Sequence, residues 1–111
     1  MSAPKYDVAL TEGAEADLEA LYDYMAENRS PEQADALLDD ILAAVESLEA
    51  WPERGALPKE LDALGIREFR QILVSPYRLI YHTIGTTVFV SVIADGRRDM
   101  QALLEQRLLG R

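Results

Sequence analysis

The sequence has no cysteine, one histidine (His82), two lysines (Lys5 and Lys59) and one tryptophan (Trp51). Without cysteine there is neither a disulfide nor a thiolate metal site, a composition that suits the cytoplasm. A lone histidine with no close carboxylate pair offers no zinc site, and the strand pattern around His82 makes it a sheet residue rather than a base. Ser30, Ser47, Ser75 and Ser91 have no base near them in sequence, so nothing points to serine nucleophile chemistry. Gly96 before Arg97 lacks the glycine spacing of a phosphate loop. No apolar run approaches the ~20 residues of a membrane span, and the polar start Met1–Asp7 is unlike a signal peptide. No catalytic residue, cofactor or metal ligand is expected.

Basic residues are also scarce, and they are unevenly placed. The formal charge is −9 over 111 residues, a poor basis for binding that rests on phosphate contacts. Residues 1–50 hold two basic residues against 13 acidic ones, whereas residues 51–111 hold nine against seven. The acidic half solvates one side of a single domain spanning residues 1–111. The arginines of the second half form a basic patch or are scattered rim residues paired with Glu68, Asp95 and Asp99.

The periodicity predicts an α+β domain of order β-α-α-β-β-β-α, a small antiparallel sheet with an N-terminal strand packed against a helical hairpin. Tyr6, Val8 and Leu10 alternate as a first strand. Thr11 caps a helix whose Glu12 and Glu15 suit its N-terminal dipole; Glu12, Glu19, Asp23 and Glu27 face solvent. Ser30, Pro31 and Gln33 mark the start of a second helix. Its stripe Ala34, Leu37, Leu38, Ile41, Leu42, Val45 and Leu48 is apolar, and Pro52 stops it. Trp51 is expected to be a core anchor under the following loop, and Glu60–Leu64 a single helical turn. Ile66–Val74, Tyr77–His82 and Thr87–Ala94 read as strands, with a last helix over about Met100–Leu109. In the final strand Val88, Val90, Val92 and Ala94 point one way, and Phe89, Ser91 and Ile93 the other. Apolar residues on both faces require a sheet covered on both sides, by its own helices, by a partner or by both.

The chemistry that remains is arginine. Arg67, Arg70, Arg78, Arg97 and Arg98 all border strands, and guanidinium forks match phosphate or carboxylate. Arg78 lies between apolar neighbours. It either ties the sheet to a carboxylate such as Glu68 or, beside Tyr77, belongs to a site.

The order and spacing of several short pieces resemble the toxins of the RelE/ParE superfamily of bacterial type II toxin–antitoxin pairs. They are Tyr6-Asp7-Val8-Ala9-Leu10-Thr11, Ala16-Asp17-Leu18, Tyr22-Asp23-Tyr24, Trp51-Pro52, Arg67-Glu68, Tyr77-Arg78-Leu79-Ile80-Tyr81, Asp95-Gly96-Arg97-Arg98-Asp99 and Arg107-Leu108-Leu109. The resemblance implies a small sheet carrying a helical hairpin. It also leaves two branches. RelE-like toxins cut messenger RNA in the ribosome with lysine, arginine and often tyrosine side chains. Arg78 and Arg98 match family arginines, but Phe69-Arg70-Gln71-Ile72 has no lysine, and Leu103 and Leu104 stand where a tyrosine is expected. The ParE-like branch, with its longer hairpin, fits better; its members are inhibitors of DNA gyrase rather than enzymes.

On that reading Arg97, Arg98 and Arg107 contact the target, with Arg67 and Arg70 behind them. A cognate antitoxin has a DNA-binding N-terminal part and a C-terminal segment that folds on the toxin. Phe89, Ile93, Leu104 and Leu108 are the expected groove for that segment, and the acidic hairpin suits basic residues in it. Neither a membrane nor sequence-specific binding of nucleic acid is expected. The alternatives are an RelE-like endonuclease and a non-toxic partner that acts with the antitoxin in operon autoregulation.

Overall fold

The computed structural model describes residues 5–110; the start of the polar Met1–Asp7 stretch and Arg111 lie outside them. The elements are β1 (Asp7–Leu10), α1 (Glu12–Asn28), α2 (Pro31–Glu46), α3 (Lys59–Asp62), β2 (Phe69–Val74), β3 (Tyr77–Ile84), β4 (Thr87–Asp95) and α4 (Met100–Leu109). Two short 3₁₀ turns, Ser47–Glu49 and Pro52–Arg54, follow α2. No helix among the described residues is long and apolar enough to cross a membrane.

The helix boundaries follow local chemistry. The Thr11 hydroxyl accepts from the Ala14 N–H, and the Ser30 hydroxyl accepts from the Gln33 N–H; each satisfies a donor with no partner inside its helix. Ser30 is extended (φ −160°, ψ 156°), as a residue before proline must be, so the chain reverses there. α1 and α2 thus form the expected hairpin, joined on the outside by a 2.6 Å hydrogen bond from the Tyr22 hydroxyl to Asp35.

The sheet has the order β1-β4-β3-β2. β2, β3 and β4 are antiparallel neighbours, and β1 joins β4 in parallel. The hairpin of α1 and α2 carries the chain from β1 across one face. There Ala14, Ile41, Val45 and Leu48 pack against Ile72, Leu79, Tyr81, Val88, Val90 and Ile93. On the opposite face Leu61 of α3 and Met100 and Leu104 of α4 pack against Phe69, Ile80, Val92 and Ala94. The sheet is covered on both sides, and each fully buried Leu, Ile or Val contributes about 1.5–3 kcal/mol relative to exposure.

Three local expectations are corrected. Val88, Val90, Val92 and Ala94 do not share a face. The pairing steps from Ile80↔Val92 to Tyr81↔Val90, leaving Ser91 as an extra residue in β4. One inserted residue reverses the alternation beyond it, so Val88, Val90 and Ile93 face the hairpin while Val92 and Ala94 face α4.

Trp51 is 64% exposed rather than a core anchor. The loop after α2 is held by backbone groups instead. The Tyr81 hydroxyl donates to the Pro52 carbonyl at 2.7 Å and accepts from the Gly55 N–H at 3.1 Å. A Cβ on Gly55 would lie 2.5 Å from the Gln71 carbonyl and 2.6 Å from the Tyr81 hydroxyl. Only glycine permits that approach. The third correction is the start of β2 at Phe69 rather than Ile66. Ile66 donates its N–H to Leu61 and packs against the second core, closing the turn after α3 in which Gly65 has φ 77°.

Candidate functional site

The arginines differ sharply in what they hold. Arg78 points from β3 toward α3 and α4. Its two terminal nitrogens donate to Glu60 at 2.7 and 2.8 Å, and its Nε donates to Gln71 Oε1 at 2.7 Å. The two side chains of the ion pair are each 10% exposed. The guanidinium holds the Glu60 carboxyl below the usual carboxylate range, against the opposing effect of burial. The carboxylate is therefore Glu60, not Glu68, and every nitrogen of this arginine already has a partner. Gly96 makes room for it: a Cβ there would lie 2.9 Å from Arg78 Cδ.

Arg70 is partly buried and donates to the Gly55 carbonyl at 2.8 Å. It stabilises the loop at the edge of β2. Arg67 is exposed and pairs with Asp62 at 3.2 Å. Arg97 is also exposed. It pairs with Asp95 at 2.6 Å, and its side-chain and backbone donors lower the Asp95 pKa to about 2. Arg98 is exposed and forms no ion pair among the described residues. The five arginines at the strand ends are thus one buried tie, one loop clamp, two surface pairs and one open cation.

Arg107 joins a site that sequence spacing did not place. β1 stops opposite Val90, so β4 runs on from Ser91 to Asp95 without a strand on that side. The edge is occupied by two side chains. Asp17 of α1 accepts from the Ile93 N–H at 3.0 Å, and Arg107 of α4 donates to the Ser91 carbonyl at 2.8 Å. The two side chains are joined at 2.9 Å. Together they supply the acceptor and the donor that a longer β1 would have supplied, which blunts a free sheet edge. Gly13 in the first turn of α1 admits the guanidinium: a Cβ there would meet Arg107 Nη2 at 2.4 Å.

Beyond this ion pair lies a groove of about 500 Å³ between α1 and the end of β4. Leu21, Tyr24 and Met25 form the helix wall, and Ile93, Ala94 and Asp95 the strand wall. Arg29, Arg97 and Arg98 line it as well. Tyr24 is 65% exposed. Sequence reasoning missed the α1 contribution. One signal was available: Asp17 falls three residues after buried Ala14 and four before Leu21, so it interrupts the apolar stripe of the helix.

The expected antitoxin groove is divided by the sheet. Ile93 is 2% exposed on the hairpin side and also lines the α1–β4 groove, while Leu104 is fully buried under the opposite face. Leu108 is half-buried against that second core. Phe89 belongs to an aromatic row across β2, β3 and β4. Its ring centroid is 5.8 Å from that of His82, which in turn is 4.9 Å from Phe69. His82 Nδ1 is buried there without a hydrogen-bond partner. Among the described residues no three His, Asp or Glu side chains gather as a metal site.

Comparison with known proteins agrees with this architecture. The family model for the ParE toxin of type II toxin–antitoxin systems, parDE, matches residues 8–100. A solved structure of the chromosomal ParDE toxin–antitoxin system from P. aeruginosa superposes with a TM-score of 0.69 at 25% identity, over 84% of this chain and 98% of that one. The toxin–antitoxin complex RelBE2 from Mycobacterium tuberculosis has the same fold, with a TM-score of 0.55 at 24% identity over 82% and 91% of the two chains. No curated protein matches the chain.

Proposed function

From the premise that this chain belongs to the ParE toxin family of type II toxin–antitoxin systems, we propose that it arrests growth by inhibiting DNA gyrase. It is the ParE-like toxin component of such a pair, with a cognate antitoxin as its partner. Gyrase as the target, and action in the cytoplasm without catalysis, are the proposal.

The observation that carries it is the closure of Arg78. A cleavage mechanism needs donors free to meet a phosphate or a reacting hydroxyl, yet each of the three Arg78 nitrogens already bonds Glu60 or Gln71, on a side chain only 10% exposed. β2 offers Arg70 already bound to Gly55, and α4 offers the buried Leu104. Of the arginines bordering the strands, those exposed to another macromolecule are Arg97 and Arg98 after β4 and Arg67 after α3. Arg107 contributes through its ion pair with Asp17, and Arg70 lies behind. These groups give an acidic protein a local place to meet a DNA-bound enzyme.

The test is a supercoiling and cleavage-complex assay with purified toxin, with antitoxin added back as control. Inhibition with trapped cleavage complex, weakened by charge reversal at Arg97 and Arg98, is the expected result. No inhibition from folded protein in several-fold excess over gyrase would remove the gyrase reading. If expression were then also harmless, a partner that serves only operon autoregulation would take its place.

A further inference from the structure

We propose that the outer edge of β1 and the apolar cleft between α1 and α2 together bind an extended, basic segment of gyrase, one apolar side chain of which enters the cleft between flanking lysines or arginines. The choice of gyrase rests on the target reading above. The docking site rests on three features of this chain, and it uses a different face of α1 from the groove beside β4.

The first is the strand edge. β1 is the outermost strand of the sheet on its side. In a strand the N–H and C=O of one residue point the same way, and the direction alternates along the chain. Asp7 and Thr11 donate their N–H groups to the Thr86 and Val90 carbonyls, so the odd-numbered residues face β4. The even-numbered ones face outward. Tyr6 is already engaged, its N–H held by the Glu49 carbonyl at 2.8 Å. Val8 and Leu10 are left, and neither N–H has a hydrogen-bond partner among the described residues. Unlike the end of β4, this edge has no side chains laid along it, so two donors and two acceptors are open to an added strand.

The second is shape and apolarity. The cleft holds about 300 Å³ and is lined by Leu10, Leu18, Tyr22 and Leu38, with exposed Glu15 and Glu19 beside them. Leu10 belongs to both the strand edge and the cleft. A segment paired with β1 therefore directs alternate side chains toward the hairpin, and the space suits one of leucine size.

The third is charge, which selects the occupant. Residues 12–46 carry 11 carboxylates and one cation, Arg29. Of those carboxylates only Asp17 forms an ion pair among the described residues. Such a face repels DNA and favours lysine or arginine on a protein partner. An enzyme that handles DNA presents cationic surface to its phosphates. A protein of formal charge −9 thus meets a DNA-bound enzyme through two faces of opposite sign, the arginines after β4 toward DNA and the hairpin cleft toward the enzyme.

Two measurements test the inference, one on the site and one on its occupant. For the site, ¹⁵N-labelled toxin is titrated with an acetylated threonine-rich peptide whose single leucine is flanked, two residues away on each side, by lysine. The peptide is expected to shift the amides of Val8, Leu10, Leu18 and Leu38, and to bind about tenfold more tightly than its glutamate counterpart, a difference of ~1.4 kcal/mol. E15Q/E19Q should erase that preference. Equal affinity of the two peptides, or shifts confined to the groove beside β4, would overturn the docking site. For the occupant, the concentration of toxin that halves gyrase supercoiling should rise about tenfold in E15Q/E19Q, with an unchanged urea midpoint and unchanged neutralisation by antitoxin. Inhibition that survives the double change would overturn the inference alone. Loss of neutralisation with inhibition intact would give the cleft to the antitoxin, and loss of self-association would give it to a second copy; either overturns the assignment. Wild-type toxin that inhibits no gyrase would remove the target reading itself, and the occupant with it, while the peptide result still decides the site.

Discussion

Arg78 and Glu60 meet at 2.7 and 2.8 Å across the second core, joining β3 to the short helix α3, with each side chain 10% exposed. α3 has only four residues, too few to be stable alone. It is held by buried Leu61 and by this ion pair.

Arg78→Ala is therefore expected to lower stability by about 3 kcal/mol, the usual cost of removing one partner of a buried pair. Arg98→Ala should lie within about 0.5 kcal/mol of the wild type, as exposed charges do. Urea midpoints of the two variants measure the order. Equal midpoints would show that the Arg78–Glu60 pair contributes nothing beyond a surface contact.

The same pair sets an acid limit. Hydrogen bonds from Arg78 hold the Glu60 carboxyl below its ordinary pKa in the folded protein. A depressed folded pKa gives stability that is fully present above the unfolded value and is lost as pH falls through the folded one. Stability measured from pH 6 downward should thus begin to decline near the unfolded value of Glu, about 4.3. Glu60→Gln should flatten part of that decline while lowering stability at pH 7. A variant whose stability falls with acid as steeply as the wild type would assign the decline to other carboxylates.

Gly13, Asp17 and Arg107 form one unit, so their substitutions should not add. Arg107→Ala leaves the Ser91 carbonyl and Asp17 without their cation, and Gly13→Ala displaces the guanidinium from the place where Cβ would meet it at 2.4 Å. Arg107→Ala is expected to cost about 1–3 kcal/mol, and Gly13→Ala less, because the group its Cβ meets is the flexible end of a side chain. In the double variant the second change should cost much less, because the clash disappears with the side chain. Strict additivity in thermal or urea unfolding would separate the two sites.

Purified toxin should not cut messenger RNA in translating ribosomes. The basis is the occupied Arg78, the absence of lysine from β2 and the burial of Leu104 in α4. Primer extension on a translated message is the measurement. Cuts within codons that depend on this protein would move it to ribosome-dependent cleavage.

The elements of this fold are written in short-range chemistry. Thr11 and Ser30 bond their own helices three residues on, Pro31 sets the start of α2, and β-branched residues mark the strands. Apolar residues on both faces of β3 and β4 require two covering layers, and both are present. What each arginine does was not legible, because its partner is chosen by distance in space. Arg78 finds Glu60 rather than Glu68, which is closer in sequence, because its side chain projects from the sheet toward α3. Trp51 is exposed, and the loop it opens is held instead by backbone groups of Pro52 and Gly55 bonded to the Tyr81 hydroxyl. The bulge at Ser91 is likewise invisible in a valine pattern that stays regular through it. Composition and periodicity determined the layers, the helix ends and the excess of negative charge. Only the tertiary structure brought Asp17 and Arg107, 90 positions apart, to the free edge of β4, because β1 is too short to pair with that edge and its polar backbone groups must still be satisfied.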